Sequence, residues 1–253
     1  MRRSFFFLIL GLGVVFLGTG LAQDQIEKAK IFQESYPLST ESDLYCSIFV
    51  LNGELPAMRI IGAERQDEKA LLSDADKFYV DKGSADGLEV GQVFLVVSVG
   101  RKIGNHGLLS RRTGRVRVVS LEERRGVVLV DKTCGEVALG AYLVPFEERE
   151  GPLGKDEGFS AALDENQGLK GDIIHIETEF NIAGSGGWAL IDLGNDQGIR
   201  EGQQLTVFKR VKRGFPREAV GNVVVIDVQK STSTIKVLSC RDAVEVGFQV
   251  QTK

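Results

Sequence analysis

The chain has 253 residues, of which 31 are Lys or Arg and 35 are Asp or Glu, so its formal net charge is −4. This mildly acidic balance argues against a nucleic-acid-binding protein, because neutralisation of phosphates by basic side chains drives that affinity. The charge is also too small to indicate a disordered chain.

The first 22 residues have the pattern of a secretory signal peptide. Arg2 and Arg3 form a basic start, residues 5–17 form an apolar run of 13, and the segment ends on Gly-Leu-Ala, a small-residue cleavage site. The run is short for a membrane span, although an uncleaved anchor is the alternative. The sequence therefore predicts periplasmic export, cleavage after Ala22, and a mature chain with 29 basic and 35 acidic residues, a net charge of −6.

A polar segment follows over residues 23–42 and is interpreted as a tail and linker. The remainder shows short runs of β-branched and aromatic residues that alternate with polar ones and are separated by Gly, Asn, Asp or Pro. This pattern is typical of antiparallel strands. The predicted fold is all-β, with two tandem small β-barrel or sandwich modules of about six or seven antiparallel strands each, over residues 43–146 and 159–253. Residues 147–158 are charged and glycine-rich and are predicted to form an exposed linker.

The second module repeats the first. VDKGSADGLEVGQ over residues 80–92 returns as IDLGNDQGIREGQ over residues 191–203, with five identities at one offset of 111 residues. The match resumes at an offset of 107 in the strands that follow, so the modules differ by four residues in one loop. Because internal periodicity defines architecture before any single motif does, the chain is interpreted as two copies of one small domain.

Glycines carry the repeated signature, and six of them are interpreted as structural turns: Gly83, Gly87, Gly91, Gly194, Gly198 and Gly202. Such positions need a positive φ or a close approach of two backbones. A phosphate cradle is disfavoured because no G-x-x-x-x-G-K-[ST] pattern is present. A calcium loop is disfavoured because the D-x-[DN]-x-[DN]-G spacing is absent. Leu88 and Ile199, between the glycines, are predicted to close the barrel mouths.

No residues form a recognisable catalytic or metal-binding pattern. His106 and His175 are the only histidines, and with three unclustered cysteines they give no zinc spacing. Ser185 lacks the G-x-S-x-G nucleophile pattern. The sequence therefore predicts no enzymatic activity, no cofactor and no metal site.

Three cysteines in an exported protein allow one disulfide and leave one thiol. If the end strand of each module lies beside its first strand, Cys46 meets Cys134, whereas Cys240 meets Phe159. A Cys46–Cys134 bridge is therefore predicted. The alternative is three buried small hydrophobic residues.

Basic residues recur in the predicted loop after the fourth strand of each module. One interpretation is a solvated loop that only keeps the protein soluble. The other is an electrostatic contact with an acidic envelope partner. In the second interpretation, the predicted partner-binding residues are Arg111, Arg112, Arg210 and Arg213.

The order of these patterns resembles the C-terminal domain of the flagellar assembly protein T. The resemblance lies in D-x-G-x-x-x-G-[LI]-x-x-G-Q between two strands, then a G-x-V-x-V strand, an S-T-x-x-I strand and a terminal x-x-G-x-x-V. Related modules occur in exported proteins with a LysM peptidoglycan-binding domain, including those associated with type IV pilus secretins. The resemblance implies a small periplasmic β-barrel module of an envelope machine, and it carries over no functional residues because the signature glycines are structural.

Together these patterns predict an exported, non-enzymatic scaffold or assembly-accessory protein of a flagellar or type IV pilus and secretin machine. The expected partner is an envelope protein complex, with no nucleic acid and with membrane contact only for export. The alternative is a periplasmic glycan- or peptidoglycan-binding module. A glycan binder normally displays an aromatic platform, whereas Trp188 is the only tryptophan.

Overall fold

In the computed structural model the described residues are 35–64, 75–164, 166–178, 180–210 and 215–253. Ser35–Lys253 form one compact unit. The predicted signal peptide and residues 23–34 of the predicted tail lie outside the described residues. The described chain begins with three short elements, β1 (Tyr36–Pro37), the helix α1 (Glu41–Tyr45) and β2 (Ile48–Leu51).

The first module contains a closed barrel of six antiparallel strands. These are β3 (Met58–Ala63), β4 (Lys77–Val80), β5 (Val93–Ile103), β6 (Gly107–Leu121), β7 (Gly126–Thr133) and β8 (Tyr142–Pro145). Their order around the barrel is β3-β4-β7-β6-β5-β8, and pairing of β6 with β7 closes the ring. A 3-10 turn, Ser84–Asp86, lies between β4 and β5.

The second module forms the second closed barrel, after a short linker strand. The strands are β9 (Leu153–Gly154), β10 (Lys170–Ile176), β11 (Ile182–Ala183), β12 (Trp188–Ile191), β13 (Gln204–Lys209), β14 (Glu218–Val228), β15 (Ser233–Cys240), β16 (Val244–Glu245) and β17 (Gln249–Thr252). The barrel order is β10-β12-β15-β14-β13-β17. β11 pairs with β16 in a separate two-stranded sheet, and a second 3-10 turn, Asn195–Gln197, precedes β13.

The two barrels have the same strand order when each strand of one is matched to its counterpart in sequence. Both also contain an irregularity at the same place, between Ile60 and Gly62 in the first barrel and between Ile173 and His175 in the second. The prediction of two all-β barrel modules is confirmed.

Aliphatic side chains fill each barrel. Val116 and Val118 on β6 point inward with 0–1% of their surface exposed, and their counterparts Val223 and Val225 on β14 are fully buried. Burial of one such side chain contributes about 1.5–3 kcal/mol. As predicted, Ile199 is buried in the second core, and Leu88 packs against the first.

The segments before and between the barrels are more ordered than the sequence indicates. β1 pairs with β9 of the linker, so that Tyr36 lies opposite Gly154. Leu38 is buried against Val224 and Ile226 on the outside of the second barrel. The prediction of an exposed linker over residues 147–158 is therefore wrong in part, because half of these residues are partly buried.

The first strand of module one, in which the sequence places Cys46, is not part of the barrel. β2 instead extends the sheet at β6, with Ile48 opposite Arg111 and Leu51 opposite Leu108. It can do so because the β5–β6 hairpin continues through Arg111 and Arg112, which the sequence places in a loop. β2 consequently lies between the two barrels.

Candidate partner-binding surfaces

The first glycine of the signature allows a close backbone approach in both barrels. A Cβ atom added to Gly83 would lie 2.5 Å from the carbonyl oxygen of Glu122, and one added to Gly194 would lie 2.6 Å from that of Gln229. In both barrels this places the 3-10 turn against the next hairpin. The backbone N–H of the residue after the glycine, Ser84 or Asn195, donates to the carbonyl oxygen of Glu122 or Gln229 at 2.9 Å. Only glycine fits at these positions without displacement of backbone.

The other signature glycines adopt a left-handed backbone conformation. Their φ angles lie between +82° and +94° at Gly87, Gly91, Gly198 and Gly202. L-residues with a side chain rarely adopt such angles. The interpretation of all six glycines as structural turns is confirmed.

The acidic residue of the signature is also structural. An Asp81 carboxylate oxygen accepts the backbone N–H of Arg59 at 2.7 Å, and Asp192 accepts that of Asp172 at 2.6 Å. These contacts lie at the strand irregularity that both barrels share. Burial, and then the nearby Asp192 carboxylate, raises the pKa of Asp172. The signature therefore positions backbone in both copies.

Arg111 and Arg112 do not form an exposed basic tip. They lie on β6, where Arg111 forms an ion pair with Glu177 at 3.1 Å and Arg112 forms one with Asp227 at 2.5 Å. The Arg112 guanidinium also lies 4.4 Å from the centre of the Phe49 ring. Both carboxylates belong to the second module. The predicted placement of these two arginines is wrong, because they connect the barrels to each other.

Arg210 remains at the surface, as predicted. It is exposed at the end of β13 and lines a pocket of about 490 Å³ with Lys209, Arg217 and Asp172, among others. Arg217 is buried beneath this surface, with its guanidinium 3.8 Å from the centre of the Phe208 ring. Arg213 lies outside the described residues. The partner-binding role of this end of the second barrel stays a prediction.

Asp227 is the centre of the contact between the barrels. It is 7% exposed and pairs with Arg112 of the first barrel and, at 3.1 Å, with Arg149 of the linker. Arg149 also pairs with Glu201 at 2.5 Å. One buried carboxylate therefore holds barrel one, the linker and barrel two together, and we call this group of residues the junction.

Helix α1 fixes the N-terminal segment on the second barrel. Thr40 and Asp43 form a capping box at its start. The two Asp43 oxygens accept from the Trp188 indole at 2.8 Å and from Lys236 at 2.6 Å. Burial alone would raise the pKa of Asp43, but its hydrogen bonds, led by that from Lys236, outweigh this and lower it. Trp188 is thus occupied within the fold and presents no exposed platform.

β2 packs on a surface that we call the barrel-two wall, the outward faces of β10, β12 and β15. Its members are Ile174, Trp188, Leu190, Thr234 and Lys236. Ile48 and Val50 of β2 pack against Leu190, and all three are fully buried. The Thr234 hydroxyl donates to the carbonyl oxygen of Ile48 at 2.7 Å. The wall therefore receives a strand through aliphatic contacts and a hydrogen bond from the Thr234 side chain to the strand backbone.

The cysteine prediction is confirmed. Cys46 and Cys134 form a disulfide with their Cα atoms 5.4 Å apart, and Cys240 is a free thiol. The geometric reason differs from the expected one, because Cys46 ends helix α1 instead of lying in a barrel strand. The bridge attaches α1 and β2 to the end of β7 in the first barrel.

The described residues contain no group of three or more His, Cys, Asp or Glu that could hold a metal ion. No helix within these ranges has the length and apolar character needed to cross a membrane. Burial, and then the charge of Arg101, lowers the pKa of His175.

Comparison with protein-family models finds no match to this chain, and comparison with curated proteins finds none either. The resemblance to the flagellar domain therefore rests on the short motifs alone.

Proposed function

We propose that the protein is an exported, non-enzymatic scaffold or assembly-accessory protein of a bacterial envelope machine, of the flagellar or the type IV pilus and secretin type. The observation that carries this proposal is the junction. Two barrels of one design are joined through buried ion pairs into a single platform, while the repeated signature is used to hold backbone in place. Such a platform acts through its surfaces.

The disulfide supports the export part of the proposal. Disulfides persist in oxidising compartments such as the periplasm and are rare in the cytosol. The Cys46–Cys134 bridge encloses a sequence separation of 88 residues and attaches the N-terminal segment to barrel one. This role requires an environment in which the bridge stays oxidised.

The glycan-binding alternative gains no support from the only tryptophan. Trp188 is partly buried and donates to Asp43. A carbohydrate platform needs an aromatic face that a sugar ring can reach, and Trp188 does not present one, so the scaffold proposal is preferred.

The test is performed in the source bacterium. We expect a deletion strain to lose swimming or twitching, and we expect the full chain to restore it. We also expect the processed protein in the periplasmic fraction, with its N-terminus at Gln23 or within a few residues, as measured by mass spectrometry.

A matched control for complementation is Glu218→Ala, which removes an exposed ion pair with Arg241. A deletion strain that swims, twitches and assembles its secretins normally would overturn the envelope-machine proposal. An intact Met1 in the membrane fraction would overturn the export prediction.

A further inference from the structure

Barrel one has its own version of the wall that receives β2 in barrel two. Tyr79 is paired with Gly62 and Val127, as Leu190 is paired with His175 and Thr234. The strand registers therefore make Tyr79 the counterpart of Leu190. They extend to five positions that we call the barrel-one wall: Ile61, Lys77, Tyr79, Val127 and Leu129.

The two walls differ in exposure. Leu190 is fully buried under β2, whereas Tyr79 is 39% exposed and Ile61 is 46% exposed. Val127 and Leu129 lie beside them on β7 and are partly buried. Barrel one thus presents an apolar stripe on the surface where the same strands of barrel two bind a strand.

We propose that the barrel-one wall binds an extended strand of a partner protein. The strand places two aliphatic side chains, two residues apart, over Tyr79 and Ile61, as β2 places Ile48 and Val50 over the barrel-two wall. This rests on the proposed scaffold function only in that the partner is a protein.

Charge defines the partner further. In β2 the strand is preceded by Asp43, five residues before Ile48, which contacts Trp188 and Lys236. Lys77 takes the place of Trp188 in the barrel-one wall. Lys77 forms an exposed ion pair with Glu64 at 3.5 Å, and such pairs contribute little. A partner carboxylate upstream of the strand can therefore pair with Lys77.

A second copy of this chain is a poor source for that strand. Its β2 is already buried against its own barrel two. The stretch of module two that corresponds to β2, residues 159–164, forms turns and no strand. Neither of these segments is available, so the proposed occupant is a strand of a different protein.

The probe is a labelled peptide with the sequence of residues 40–52 and with Cys46→Ser, titrated with the full mature chain and followed by fluorescence anisotropy. We expect saturable binding, because the peptide carries the acid and the aliphatic pair that barrel two already recognises. Tyr79→Lys should weaken binding at least tenfold, and Tyr79→Phe should retain it. A peptide with Ile48→Asp and Val50→Asp should not bind.

Leu139→Lys is the matched protein control, because Leu139 is 42% exposed outside the wall. Thermal unfolding by circular dichroism verifies that each variant folds. The proposal is overturned if the peptide does not bind, or if Tyr79→Lys and Leu139→Lys bind it equally.

Two rival occupants are distinguished in the same experiment. A wild-type dimer in sedimentation that Tyr79→Lys dissociates would assign the wall to a second copy. Peptide binding that appears only after removal of residues 23–34 would assign it to that segment. Either result replaces the proposal. The assay uses purified protein and is independent of the deletion strain. Specific peptide binding, together with a deletion strain that moves as the wild type does, would keep the site and reject the envelope-machine function.

Discussion

The strands β6 and β14 occupy the same place in the two barrels, yet their outward faces have different roles. β6 alternates Arg115 and Arg117 outward with Val116 and Val118 inward. β14 has the continuous run Val-Val-Val-Ile over residues 223–226, and both of its faces are buried. The inward residues form the barrel core, whereas Val224 and Ile226 face Leu38 of the N-terminal segment.

This difference shows which features the two barrels share and which they do not. The inward pattern and the glycine turns are shared because they make the barrel. The outward pattern differs, and in the second barrel the chain covers it with its own N-terminal segment. Barrel two is therefore the internal anchor, and barrel one keeps the more exposed wall.

The largest expected effect comes from breaking the junction. Asp227→Ala leaves Arg112 and Arg149 without their shared buried carboxylate, and loss of one partner of a buried pair costs about 3–5 kcal/mol. We expect this loss in the free energy of urea unfolding. Glu218→Ala, which removes an exposed pair, should cost less than about 1 kcal/mol.

The same variant also tests whether the junction protects the linker from proteolysis. Limited proteolysis should cut residues 147–158 faster in Asp227→Ala than in the wild type, since the linker is held at the junction. Equal cleavage rates would show that the linker is not protected by Asp227.

Loss of the disulfide should come next. Replacing Cys46 and Cys134 by Ser should destabilise the protein by about 2–5 kcal/mol, since the bridge closes a loop with a sequence separation of 88 residues. We also expect β2 to exchange its amide hydrogens faster, because its attachment to β7 is lost. Cys240→Ser is the control, because that thiol is free and its loss should leave amide exchange in β2 unchanged.

The close backbone approach at Gly83 and Gly194 predicts an equal loss of stability when either glycine is replaced. Gly83→Ala and Gly194→Ala each place a methyl group about 2.5 Å from backbone atoms, and overpacking of this kind costs about 1–3 kcal/mol or more. The melting temperatures of the two variants should fall by similar amounts. Gly184→Ala is a matched control, because a Cβ atom there meets nothing within 4 Å. A loss confined to one variant would contradict the equivalence of the turns.

The smallest expected effect is on stability and arises from a charge that differs between the barrels. Arg59 occupies in barrel one the position of Asp172 in barrel two, where burial and Asp192 raise the pKa. Because the raised pKa favours the protonated carboxyl in the folded state, ionisation of Asp172 destabilises the fold as pH rises through that pKa. Asp172→Asn should therefore be slightly more stable than the wild type at neutral pH, with the gain lost on acidification below the unfolded value. A gain that is the same at all pH values would contradict this cause.

The parts of the fold that could be predicted are those with a local cause. Strand alternation follows from residues two apart, and the turns follow from glycines that need a positive φ. The junction could not be predicted, because Arg112 and Asp227 are 115 residues apart and nothing local pairs them. The sequence predicts a loop at Arg111 and Arg112, whereas the β5–β6 hairpin continues through both residues. The continuous apolar run of β14 was a usable signal, since a strand buried on both faces needs a cover.

The disulfide has a mechanical consequence for a protein under load. Tension applied at the N-terminal end of the described chain reaches the two-residue ladder of β1 and β9 first, then Leu38 and helix α1. At Cys46 the covalent bridge passes the force to Cys134, so β2 and the strands up to β7 are shielded from it. Single-molecule pulling from residue 35 should show a short, low-force extension before any barrel opens, and this extension should grow when the bridge is reduced. The N-terminal segment would then extend under load before either barrel unfolds.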